Sequence, residues 1–109
     1  MDPLITALDD ARAQVVALAA QRAEVVAASE GSNADDEHDP EGATIAFERE
    51  QLTALLDQAR ATVAALEEAV ARRAAGDYGW CERCGGPIGD ERLAARPHAT
   101  RCIGCAGLR

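Results

Sequence analysis

The sequence predicts a mainly α-helical protein: a long antiparallel coiled-coil hairpin followed by a small module pinned by four cysteines. Three observations carry this reading. Apolar residues recur in alternating steps of four and three along two long stretches. The composition is rich in alanine, the best helix former, and only 3% aromatic, which is poor material for a wide mixed core. The four cysteines fall in two Cys-x-x-Cys pairs near the C-terminal end, Cys81 with Cys84 and Cys102 with Cys105. The 109 residues suffice for one domain, or for one small module with an extended arm.

The first helix is expected over residues 3 to about 29. Leu4, Leu8, Ala11, Val15, Leu18, Arg22 and Val25 step by four and three, the period of a coiled-coil seam with Arg22 as its polar exception. Asp2 before Pro3 fits an N-cap followed by proline at the first helical position.

Residues 30–41 break the period. Gly31-Ser32-Asn33 favours a turn. Glu30, Asp35, Asp36, Glu37, Asp39 and Glu41 crowd the same stretch, with no arginine among them. Loops of this length are uncommon in compact domains unless they carry function or move.

The second helix is expected from about 40 to 75. Leu52, Leu56, Ala59, Val63, Leu66 and Val70 repeat the seam, and Asp39-Pro40-Glu41 makes a start signal. Arg72 and Arg73 suit the negative end of the helix dipole, and Gly76 can form the terminating turn. At ~1.5 Å per residue such a helix is about 50 Å long. A lone helix of this kind is marginal in water, so pairing the two seams supplies most of the stability. The organisation expected is a hairpin over residues 1–75 with an acidic tip at about 30–43, then a finger over residues 76–109.

The finger rests on the cysteine spacing. A gap of seventeen residues separates the two pairs, within the range of two-knuckle zinc sites. Four thiolates complete a tetrahedron and leave no position for water, so one Zn²⁺ held by Cys81, Cys84, Cys102 and Cys105 is structural and not catalytic. Residues 80–109 are too few to build a core that holds itself together, and metal removal is expected to unfold them. His98 is an alternative ligand, four residues before Cys102. Redox chemistry at one Cys-x-x-Cys is another alternative, disfavoured by the lack of a βαβ pattern. Trp80, beside the first ligand, is expected to pack the finger against the base of the hairpin.

Charge is unevenly placed. The chain carries a formal −8. Residues 1–79 hold 16 acids and 6 arginines, a balance of −10, whereas residues 80–109 hold 3 acids and 5 arginines, a balance of +2. Strong nonspecific nucleic-acid binding is disfavoured, because neutralising phosphates needs clustered cations. There is no membrane-spanning apolar run and no signal-peptide pattern, and paired Cys-x-x-Cys motifs in that setting indicate a reducing, cytoplasmic location. An enzyme is not expected: the metal site is closed, and no nucleophile with a base or phosphate-cradling glycine loop is present.

Within this frame one stretch resembles the DksA/TraR family of bacterial RNA polymerase-binding regulators. It reads Gly76-x-Tyr78-Gly79-x-Cys81-x-x-Cys84-Gly85-x-x-Ile88, continuing through Arg92-Leu93-x-Ala95-Arg96-Pro97 to Cys102-x-x-Cys105. The resemblance implies a cytoplasmic, monomeric transcription regulator that inserts its hairpin into the secondary channel of RNA polymerase and alters promoter complexes. It implies no sequence-specific DNA contact and no membrane. The family tip commonly reads Asp-x-x-Asp-x-Ala. This chain offers His38-x-x-Glu41-x-Ala43, with Asp36-x-x-Asp39 two residues earlier, so Asp36, Asp39, Glu41 and Ala43 are the tip candidates. An acidic tip near a Mg²⁺-binding centre has an electrostatic rationale. Asp39 is equally a cap for the second helix. In some relatives guanosine tetraphosphate binds at the polymerase interface through basic residues. Arg92 and Arg96 stand at matching positions and are candidate polymerase or alarmone contacts, whereas Ala65 and Ala106 stand where relatives use basic residues. Alarmone use here stays open. The alternative function is a zinc-finger module that binds nucleic acid or another protein directly.

Overall fold

In a computed structural model the described residues are 2–30 and 40–108. Four helices follow in order: α1 Pro3–Glu30, α2 Pro40–Ala74, α3 Asp90–Ala95 and α4 Ile103–Ala106. Among the described residues there is no strand, only an isolated antiparallel bridge between Trp80 and Pro87. No helix among them is long and apolar enough to cross a membrane.

The chain divides into two compact units, Met1–Asp10 with Thr62–Arg109, and Ala11–Ala61. Both contain paired stretches of α1 and α2. In the first unit Leu4, Leu8, Leu66 and Ala69 are buried, with Ala69 fully enclosed at 0% exposure. In the second unit Leu18 and Leu56 are buried, and Val15, Val25, Leu52 and Ala59 are half-buried. These are the seam positions, joined by Ala69, whose small side chain permits close approach.

Polar contacts join the paired stretches within each unit. Arg73 meets Asp2 at 2.7 Å in the first unit. In the second, Arg22 Nε donates to Thr53 Oγ1 at 2.7 Å. Each contact joins α1 to α2 within its own unit. Arg22 is thus paired within the seam. Thr53 Oγ1 in turn donates to the Arg49 carbonyl at 2.8 Å, so both polar groups are satisfied.

The helix ends follow from local chemistry. Asp2 Oδ1 accepts from the backbone N–H of Leu4 at 3.0 Å and of Ile5 at 3.4 Å, satisfying donors that the first turn leaves orphaned. At the same end of the pair, beside Asp2, α2 stops in a Schellman turn. Asp77 N–H donates to the Arg72 carbonyl at 2.8 Å, Gly76 N–H to the Arg73 carbonyl at 3.1 Å, and Gly76 sits at φ +83°. That left-handed conformation is why glycine stands there.

The finger has its own small core. Cys81, Ile88, Ala99 and Cys105 are buried together, with Leu93 and Cys102 packed against them. Trp80 does not pack as expected: it is 56% exposed. Its backbone pairs with Pro87, while the next residue, Cys81, is turned inward. Successive side chains of extended backbone point to opposite faces, so an inward Cys81 sends Trp80 outward. Tyr78 makes the internal link instead, its hydroxyl donating to the Pro97 carbonyl at 2.9 Å.

Candidate metal centre and partner-facing residues

Two knuckles present the cysteines. The first turns on Gly85 at φ +74°, with Gly85 N–H donating to the Cys81 carbonyl at 2.9 Å and Cys81 N–H to the Gly86 carbonyl at 2.8 Å. The second begins with Cys102 in extended backbone as the N-cap of α4. There Cys105 and Ala106 donate to the Cys102 carbonyl at 3.0 and 2.9 Å. Glu82 ties the knuckles together. Its N–H donates to the Thr100 carbonyl at 2.8 Å, and its carboxylate accepts from Thr100 Oγ1 at 3.3 Å and Arg101 Nε at 3.1 Å.

The result is a cluster of four sulfur atoms, all within 4.8 Å of one another. Around Zn²⁺ with Zn–S bonds of ~2.3 Å, a tetrahedron has S–S edges of about 3.8 Å. The Cys84–Cys102 separation is 3.8 Å, already that edge. Donor type, number and spacing therefore fit one zinc ion. His98 contributes no ligand atom to the cluster. Burial, then Arg96 and Arg72, lower its pKa and favour the neutral ring.

The thiols do not behave alike. Backbone N–H groups of Cys84 and Cys102 hold the Cys81 thiol down to about 6. Neighbouring thiols, Cys102 foremost, push Cys105 up to about 11. Four sulfurs this close resist sharing negative charge, and a divalent cation relieves that conflict. Zinc, when bound, supplies a four-way crosslink between the knuckles. Cys81 and Cys105 are buried, Cys102 is half-buried and Cys84 faces solvent. Gly86 N–H donates to Cys84 Sγ at 3.4 Å.

Of the residues expected to meet a partner, Ala43 is exposed near the start of α2. Asp36 and Asp39 lie outside the described residues, as does the side chain of Glu41. Arg92 is half-buried and its Nε donates to the Arg101 carbonyl at 2.8 Å, bracing α3 against the approach to Cys102. Arg96 is exposed at the C-cap of α3, its N–H donating to the Arg92 carbonyl at 2.7 Å. Both arginines line two shallow concavities on the finger, one shared with Ile88 and Ile103, the other with His98 and Arg101. From the sequence, Glu82 and Arg83 went unnoticed, and Tyr78 was named only within the matched stretch, with no role. Glu82 and Arg83 occupy variable positions inside a Cys-x-x-Cys pair, where spacing says nothing about which side chain reaches across.

Comparison with known proteins agrees with this geometry. Residues 76–109 match the prokaryotic dksA/traR C4-type zinc finger. The RNA polymerase-binding transcription factor DksA of Escherichia coli K12 is 40% identical over 52 residues, covering 48% of this chain and 34% of that protein. The factor of the same name from Caulobacter vibrioides is 43% identical over 47 residues, covering 43% of this chain and 33% of that protein. The matched stretch thus spans about a third of these relatives. The structure of transcription factor DksA2 from Pseudomonas aeruginosa superposes with a TM-score of 0.60 and 29% identity, over 94% of this chain and 79% of that one. Residues 76–109, which gather four sulfurs on two knuckles within 4.8 Å of one another, thus match the DksA/TraR C4-type zinc finger in both sequence and donor set.

Proposed function

We propose that this protein is a cytoplasmic transcription regulator that binds bacterial RNA polymerase through the secondary channel. In this reading residues 1–75 form the coiled-coil hairpin, and residues 30–43 form an acidic tip that modulates promoter complexes. Residues 76–109 form the finger that braces the hairpin. Asp36, Asp39, Glu41 and Ala43 act at the tip, and Arg92 and Arg96 face the polymerase. Cys81, Cys84, Cys102 and Cys105 hold the zinc, and the protein is not an enzyme. The observation that carries the reading is the likeness of 94% of the chain to a transcription factor of the DksA kind. The relatives matched over the finger are named for binding RNA polymerase. The charge distribution supports it too, with a balance of −10 over residues 1–79 and six acids between Glu30 and Glu41.

The test is in vitro transcription with purified polymerase from the same organism. The wild-type chain is expected to change the lifetime of promoter complexes severalfold. A variant carrying Asp36→Asn, Asp39→Asn and Glu41→Gln should still bind polymerase but lose that effect. A tip variant as active as the wild type would remove the tip from the mechanism.

A further inference from the structure

Within the first knuckle, Arg83 occupies the position just before Cys84, yet its guanidinium does not stay with that knuckle. Arg83 Nη1 approaches Cys105 Sγ, a ligand on the second knuckle, at 3.9 Å. Arg101, another cation of the finger, is turned elsewhere, held by Glu82 and by the Leu108 carbonyl. A Zn²⁺ ion with four thiolates carries a formal charge of about −2. That excess sits partly in a buried core, since Cys81 and Cys105 are both enclosed. A delocalised guanidinium is the side chain suited to meet it: permanently charged, weakly hydrated and able to donate several N–H groups.

We propose that Arg83 is a positioning residue for the metal, an electrostatic clasp that offsets the excess charge of the zinc–thiolate cluster and slows loss of the ion. The contact joins the two knuckles, so the ion cannot leave by parting them without also separating Arg83 from Cys105. At 3.9 Å the pair lies well inside the ~10 Å screening length of 0.1 M salt, so the effect persists at moderate ionic strength. Groups that support metal ligands from outside typically change metal affinity 10- to 100-fold when lost. Arg83 itself is exposed, which places the expectation at the lower end of that range.

The experiment uses the full chain loaded with one equivalent of zinc at neutral pH. It follows transfer of the metal to a chromogenic chelator for wild type, Arg83→Gln and Arg83→Lys. Circular dichroism of the loaded proteins checks that each variant is folded before chelator is added. Arg83→Gln is expected to release zinc about tenfold faster, and Arg83→Lys, which keeps the charge, to lie close to wild type. Equal rates for Arg83→Gln and wild type would overturn the proposal. So would Arg83→Lys releasing as fast as Arg83→Gln, since shape and not charge would then matter. Failure of the wild-type chain to hold one equivalent would remove the metal site itself, an outcome separate from the role of Arg83.

Discussion

Single side chains do most of the fastening at the ends of the paired helices. Asp2 caps α1 and also holds Arg73 on α2. The Arg73 hydrogen bond is the chief reason its carboxyl titrates at about 2 and not at 3.8, and backbone N–H groups of Ile5 and Leu4 add to it. The folded-state pKa lies below the unfolded one. The contribution of Asp2 is therefore full above about pH 4 and fades as pH falls towards 2. Thermal melts of wild type and Asp2→Asn should differ at pH 6 and converge near pH 2. A gap unchanged across that range would show that the ion pair does not stabilise the fold. The Asp2 cap was readable from Asp-Pro at the start of a periodic run, but its bond to Arg73 was not, since it joins residues 71 apart in sequence and depends on the register of two helices. Trp80 shows a different failure. Its place beside the first ligand suggested packing against the base of the hairpin, and the alternation imposed by the inward-facing Cys81 decided otherwise.

At the level of helices, the step pattern located the buried face because that face is what an antiparallel pair must cover. Leu4, Leu8, Leu18, Leu56 and Leu66 are all buried. Ala69 was missed because it sits outside the strict four-and-three series, one position before Val70, where only a small residue leaves room. Arg22 looked like a defect in the seam. Its bond to Thr53 makes it a satisfied polar contact that favours one register, a use of seam polarity known from coiled coils. The buried leucines should therefore carry the stability of the pair. Leu66→Ala is expected to cost about 2 to 4 kcal/mol in urea unfolding. A cost under about 0.5 kcal/mol, the range of surface changes, would contradict the seam. In the finger, by contrast, periodicity was silent. The cysteine spacing and the residues around it carried the reading, and the contacts that tie the knuckles together, through Glu82, Thr100 and Arg83, needed three-dimensional structure to be seen.

For the molecule as a whole, charge separates the two functions weighed from the sequence. A direct nucleic-acid binder needs clustered cations, and a net charge of −8 with a balance of only +2 on residues 80–109 does not provide them. A partner with a cationic, Mg²⁺-binding interior suits an acidic segment far better. The proposed target is polymerase itself. The most direct measurement is fluorescence anisotropy of the labelled, zinc-loaded chain titrated separately with DNA-free core polymerase and with duplex DNA. Saturable binding to the polymerase and none to the duplex are expected at 0.1 M salt. Salt-sensitive binding to the duplex with no binding to the polymerase would contradict polymerase as the target.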